Sequence, residues 1–268
     1  MILNLTILLI LNVIIEFLPI SSTAHSIVIN KLLNIDFNLN IILALSQIGI
    51  TLAVCYYFKN IIKDIIVNLF RLNREYFLFC FKILITMLPS VFIGCFFYGI
   101  IKTYCQSSMS IGIGLICGSL LMYFAEKYYL KNHNGDTNNI KQRNDLFNIS
   151  FKDVCKIGLF QSLSLMSGVS RSATTISAGM LSNFSRIKAV EMAFFISIPV
   201  SFGGACFDLY KCFDLINNDS YLMCLYILLL SFILSLLFMK KIINFLQNNS
   251  LHIFIFYRII FGLLLIFI

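Results

Sequence analysis

The sequence predicts an all-α polytopic membrane protein, with six transmembrane helices plus two re-entrant helical hairpins in an inverted-topology repeat. Three observations lead there. First, 59% of the 268 residues are apolar and only 12% are charged, with a mean hydropathy of +0.91; soluble domains carry about twice that charge. Second, six apolar runs reach the roughly 20 residues needed to cross a hydrocarbon core. Third, two further apolar regions are interrupted by Pro, Gly and clustered Ser and Thr. Irregular backbone at membrane depth is tolerated where it is buried in protein or lines a wet cavity. No loop is long enough to fold alone, so residues 1–268 are expected to form a single integral membrane domain.

In chain order, the first broken region covers about 1–35, and spans follow near 41–58, 83–101 and 109–130. The second broken region covers about 157–188, and spans follow near 189–210, 221–239 and 251–268. No Lys or Arg precedes Lys31, so the first region is expected to stay in the mature protein rather than serve as a signal peptide. The nine cysteines form no CxxC pair and read as small apolar residues between helices.

Loop charge orients these spans. Lys59, Lys63, Arg71, Arg74 and Lys82 place the first connection in the cytoplasm, as do Lys127, Lys131, Lys141, Arg143, Lys152 and Lys156 for the central one and Lys240 with Lys241 for the last. The stretch 102–108 holds only Lys102, and 208–220 sets Asp208, Asp214 and Asp219 against Lys211, so both lie outside. The net charge of +8 is therefore a topology signal. Without a basic patch interleaved with aromatics, it excludes nucleic acid as a partner. Three spans after each broken region invert the second half relative to the first, giving repeats at about 1–130 and 157–268 joined by a polar cytoplasmic loop at about 131–156. Inverted repeats place a site near the midplane where the broken elements meet. Residues 12–25 align without gaps to 161–174, setting Asn12 on Gln161, Pro19 on Gly168, Ser21 on Ser170, Ser22 on Arg171 and His25 on Thr174.

The broken regions carry the chemistry. The first reads EFLPISSTAHS over 16–26. An ionisable group near the bilayer centre costs at least about 2.5–3.5 kcal/mol, which marks a working residue. Glu16 can bind a divalent cation or manage a proton. Ser22 can attack phosphorus, with His25, three residues on and on the same helical face, as its proton partner. The second reads SGVSRSATTISAG over 167–179. Gly168 permits a tight turn, while Ser170, Ser172, Thr174 and Thr175 surround Arg171, whose forked donors suit phosphate oxygens. A helix starting after Gly168 would also aim backbone N–H groups at an anion. A nucleophile, a base, a carboxylate and an anion clamp together describe phosphoryl hydrolysis in a membrane. Gln47 is a candidate pocket-lining residue, and Glu126 a candidate ion-pair partner at the inner boundary.

At these two segments the chain resembles undecaprenyl-diphosphate phosphatase, the bacterial bacitracin-resistance family. The first family signature matches Glu16, Phe17, Leu18, Pro19, Ile20, Ser21, Ser22 and His25; the second matches Gly168, Ser170, Arg171, Ser172 and Thr175. Similar stretches occur around Gln47, at 82–94 and at 194–199, so the resemblance runs along nearly the whole chain. It implies hydrolysis of a polyprenyl diphosphate to the monophosphate and inorganic phosphate, at a pocket open to the outer face of the bacterial plasma (inner) membrane. It further implies Ser22 as nucleophile, His25 as its proton partner, and a diphosphate clamp of Arg171 with Ser170 and Thr175, near Ser21, Ser172 and Gly168. Glu16 and Asn12 would hold Mg²⁺ or Ca²⁺. Asn12 stands where the family has Gln or Glu, Ser167 where it has Pro, and Ala24 and Ala173 where it has Gly. Two alternatives stay open: a lipid-phosphate flippase, which needs the Arg clamp but no Ser22–His25 pair, and a degenerate homologue that only binds lipid diphosphate. Membrane lipids are the expected surroundings, and the sequence leaves a homodimer open.

Overall fold

The computed structural model describes residues 2–105, 107–133, 147, 149–216 and 220–267. Among them the fold is all-helical, with eleven α-helices and no strand. They are α1 (Ile2–Phe17), α2 (Ser22–Leu33), α3 (Leu39–Tyr57), α4 (Lys59–Phe70), α5 (Arg74–Tyr104), α6 (Ser108–His133), α7 (Phe151–Ser162), α8 (Arg171–Met180), α9 (Arg186–Lys211), α10 (Tyr221–Asn248) and α11 (His252–Phe267). Five of them, α3, α5, α6, α9 and α10, are long and apolar enough to cross a membrane. The sixth expected span, α11, has 16 residues. That is roughly 24 Å of helix at 1.5 Å per residue, against a core of about 30 Å.

Both broken regions become helix–break–helix units. α1 ends at Phe17 and α2 starts at Ser22; α7 runs through a short 3₁₀ turn, Leu163–Leu165, and α8 starts at Arg171. The central polar segment 134–146 lies outside the described residues. One element was not foreseen. The basic connection after α3 folds into α4, because Ile61, Ile62, Ile65 and Leu69 recur at helical spacing and turn inward while Lys59, Lys63 and Asp64 do not. Asn73 then caps α5, which begins well before the run at 83–101.

Packing follows small residues and buried polar pairs. α3 lies between α9 and α10, α5 packs on α7, and α8 on α9 and α6. α6 and α11 cross at Gly112 and Gly262, where an added Cβ on either would meet the other's carbonyl oxygen at 2.6 and 2.9 Å. At the basic boundary Glu126 is wholly buried and pairs with Arg186, which also lies over the Tyr129 ring. The second carboxylate oxygen of Glu126 accepts from Leu251 N at 3.4 Å, fixing the start of α11. Glu191 pairs with Lys188 at 2.7 Å on the α9 surface. The nine cysteines are free.

Removing one partner of a buried pair strands the other. Glu126→Gln should therefore destabilise the protein by about 3 kcal/mol, read as a lower Tm in detergent. The double variant with Arg186→Met should lose less than the sum of the two single changes.

Candidate active site

The two breaks meet at one cavity of about 520 Å³, and both α2 and α8 begin on its wall at Ser21–Ser22 and Ser170–Arg171. Two helix N-termini thus face a single space, an arrangement that favours an anion. The breaks share an unusual backbone. Ser21 has φ 71° and Ser170 has φ 72°, a left-handed region that L-residues enter at a cost of order 1–3 kcal/mol and that clusters at functional sites. These are the two serines that the gapless alignment superposes. Ala24 and Ala173, also superposed, are both fully buried just behind.

Glu16, Ser22 and Arg171 come together. The Ser22 hydroxyl donates to Glu16 Oε2, and Arg171 Nη2 lies 3.9 Å from Glu16 Oε1. Arg171 Nη1 donates to Ser201 Oγ on α9. Ser172 ties the breaks to each other: its hydroxyl donates to Leu18 O at 3.2 Å and shares a 3.2 Å contact with Ser170 Oγ. Ser170 Oγ also accepts from Ala173 N at 3.3 Å, capping α8. Gln47 and Gly168 line the cavity. Thr175 sits below it, donating to Arg171 O at 2.8 Å, so it holds the turn bearing the guanidinium.

Two expected site residues lie apart from the cavity. His25 does not reach Ser22 and does not line the cavity. Its Nδ1 contacts Ser21 O at 2.8 Å, its Nε2 contacts Tyr257 OH at 2.6 Å, and its ring stacks 4.5 Å from Phe261. The cavity face of α2 runs through Thr23 and Ile27, which turns position 25 toward α11. The hydroxyl of Ser22, at the first turn, reaches back across the break to Glu16 instead. Asn12 is likewise buried away from the cavity. Its amide donates to Ser46 Oγ and accepts from Ser26 Oγ, both at 2.8 Å, leaving its oxygen committed within the protein.

The sequence reading missed Arg258. Fully buried on α11, it donates to Pro19 O in the first break at 2.7 Å and to Gly168 O and Val169 O in the second at 3.0 and 2.8 Å. It also donates to Leu115 O and Ser119 Oγ on α6, at 3.2 Å each. Close approach is possible because α6 offers Gly114 and Gly118: a Cβ on Gly114 would lie 2.2 Å from Ser167 O, and one on Gly118 2.0 Å from Arg258 Nη2. An arginine in the last apolar run was the available signal, since a charge there needs a reason. Ser201 and Asp208 on α9 were missed too, though polar residues seven apart on an apolar helix mark one face. Asp208 accepts from Tyr98 OH at 2.9 Å at the far end of the cavity.

Arg258→Met would leave several buried carbonyls without a donor, at about 1–3 kcal/mol for each that finds no other partner. The expected result is a lower Tm in detergent, with Arg258→Lys recovering part of it, because an ammonium cannot span acceptors on three segments.

Comparison with known proteins identifies the family. The profile of the family described as Bacitracin resistance protein BacA matches residues 5–264. Undecaprenyl-diphosphatase 3 of Acinetobacter baylyi is 33% identical over 256 residues, 94% of this chain and 92% of that protein. An undecaprenyl-diphosphatase of Acinetobacter baumannii is 33% identical over 254 residues, 94% of this chain and 89% of its own. One of Pseudomonas syringae pv. syringae is 33% identical over 257 residues, 94% and 88% of the two chains. Matched over nearly its whole length by the profile and by these relatives, the chain belongs to the bacitracin resistance protein BacA family.

Proposed function

We propose that this chain hydrolyses undecaprenyl diphosphate to undecaprenyl phosphate and inorganic phosphate, recycling the lipid carrier of peptidoglycan synthesis and conferring bacitracin resistance. The observation that carries it is the convergence of Ser22, Glu16 and Arg171 on one cavity wall at the starts of two helices. The relatives' names supply the substrate.

The diphosphate enters between the N-termini of α2 and α8, with Arg171 and the free N–H groups of the α8 start on its oxygens. Glu16 takes the Ser22 proton as Oγ attacks the terminal phosphorus. The bond to the bridging oxygen breaks, and its electron pair leaves on undecaprenyl phosphate. Arg171 neutralises the charge that builds on the transferred group. Glu16 passes that proton to the departing undecaprenyl phosphate, then takes one from the water that attacks the phosphorylated Ser22 and returns it to Oγ as inorganic phosphate leaves. His25 acts one step back: its ring, held by Tyr257, fixes the Ser21 carbonyl and so the strained turn that presents Ser22.

A divalent cation, Mg²⁺ or Ca²⁺, fits best as an ion carried in on the diphosphate. Glu16 is the carboxylate on hand, Asn12 is committed elsewhere, and no group of three His, Cys, Asp or Glu gathers among the described residues. Mg²⁺ commonly takes one or two carboxylates plus substrate phosphates. When bound, the ion would offset diphosphate charge.

The reading includes six spans, α3, α5, α6, α9, α10 and α11, with α1–α2 and α7–α8 as re-entrant hairpins of an inverted repeat. The paired left-handed serines support the repeat. Basic residues at the inner ends support a plasma-membrane protein whose cavity opens outward.

Purified protein in detergent should release phosphate from undecaprenyl diphosphate, and Ser22→Ala or Arg171→Ala should each lower kcat by about 10²-fold or more. Absence of release by the wild type, or unchanged release by either variant, overturns the proposal. Glu16→Gln should fall at least as far as Ser22→Ala. A Glu16→Gln variant more active than His25→Ala would return the proton role to His25.

A further inference from the structure

The cavity does not end at the diphosphate site. One face of α9 carries Ser201, which accepts from Arg171, then Gly204 one turn on, then Asp208, and all three line the same space. Opposite stand Val91 and Cys95 of α5, both exposed and both in the cavity wall. α5 and α9 make little contact along their length. Each carries an internal proline, Pro89 and Pro199, and α5 departs from helical geometry at Phe97, the usual causes of a kink. They are tied beyond this level, where Tyr98 OH donates to Asp208 and the Tyr98 ring meets Phe207 edge-on at 5.1 Å.

Between the clamp and that tie the wall is open. Gly203 and Gly204 are exposed, and beyond their chain neighbours and the local helix backbone no heavy atom lies within 4 Å of where a Cβ on either would sit. A glycine pair in a helix costs roughly 0.8–1.0 kcal/mol per residue relative to Ala, and here no neighbouring helix occupies the room it leaves. The space is continuous with the anion site, its wall is largely apolar, and it faces the side of a helix suited to crossing a bilayer. Closure at Tyr98–Asp208 and an opening below it describe a lateral slot.

We infer that the slot between α5 and α9 is the exit for the substrate's prenyl chain, with Gly203, Gly204, Val91 and Cys95 as its specificity-determining walls. The diphosphate stays at Arg171 and Ser22, while the first isoprene units pass over Gly204 into the outer half of the bilayer. This rests on the diphosphatase reading for the identity of the lipid.

The test separates tail from head. Gly204→Leu fills space that is empty in the fold, so the protein should remain folded while KM for undecaprenyl diphosphate rises by roughly tenfold or more. The inhibition constant of inorganic diphosphate, which occupies only the head site, should stay unchanged. Gly99→Leu on α5, equally uncrowded but outside the cavity wall, should leave both values as in the wild type. In parallel, undecaprenyl diphosphate should shield Cys95 from N-ethylmaleimide, read by mass spectrometry, whereas inorganic diphosphate should not; Cys117, exposed and outside the cavity wall, serves as the unshielded control. An unchanged KM in Gly204→Leu, a parallel shift in diphosphate inhibition, or equal Cys95 labelling with and without lipid overturns the slot. A wild type that releases no phosphate would sink the diphosphatase reading instead, and Cys95 shielding would still report on the slot.

Discussion

The structure depends on one buried guanidinium. A chain break inside an apolar bundle exposes carbonyls that water cannot reach, and each unmet group costs several kcal/mol in lipid. Both breaks present that problem, at Pro19 and at Gly168–Val169, and Arg258 answers it at both. Because the donors of one rigid plane serve two segments far apart in sequence, the breaks are held in fixed relation. The starts of α2 and α8 then have to face the same space. The geometry of Arg, five donors in a planar fork, suits this where Lys would not. The glycines of α6 are the complementary condition, since any side chain at Gly114 or Gly118 would displace the second break or the guanidinium itself.

With position fixed in that way, charge balance decides what the cavity can hold. Glu16 would be costly alone at this depth. It is stabilised by the Ser22 hydroxyl on one oxygen and by Arg171 near the other. Arg171 is in turn held by Ser201 rather than by a close bidentate carboxylate, and at 3.9 Å its pairing with Glu16 is loose. A loosely paired guanidinium beside two helix N-termini keeps most of its attraction for an incoming anion. A tight Arg–carboxylate fork would have spent it.

Much of this was legible in the sequence, and the failures have physical causes. The broken regions, Glu16, Ser22 and Arg171 stood out because polar residues in apolar surroundings are expensive, and the structure brings all three together. The helical alignment of Ser22 with His25 misled. Residues three apart share a face only loosely, and the first residue of a helix is free to reach back across its turn, as Ser22 does. Asn12 lies apart from the cavity because its amide is bonded by neighbours that only folding supplies, here Ser26 and Ser46. Arg258 was hidden in plain view: its acceptors are backbone carbonyls and a serine, so no residue pattern announces them. α4 was hidden by its charge, which drew attention to orientation and away from its isoleucine spacing.

The two breaks are alike in backbone and unlike in side chain, and the proposed chemistry rests on that difference. Ser21 and Ser170 both have positive φ, Ala24 and Ala173 are both fully buried, and α1–α2 and α7–α8 are both helix–break–helix units. The backbone therefore supplies the same thing twice, a helix N-terminus aimed at the cavity. What sits on that backbone differs at the positions that matter: Ser22 superposes on Arg171, and Glu16 on Leu165. Under the proposed reading, two identical halves would give two clamps or two nucleophiles, neither able to cleave a diphosphate. Holding the anion from one side and attacking it from the other requires the halves to agree in main chain and disagree in side chain. The asymmetry extends to their supports, since Thr175 steadies the turn bearing Arg171 while His25 and Tyr257 steady the one bearing Ser22.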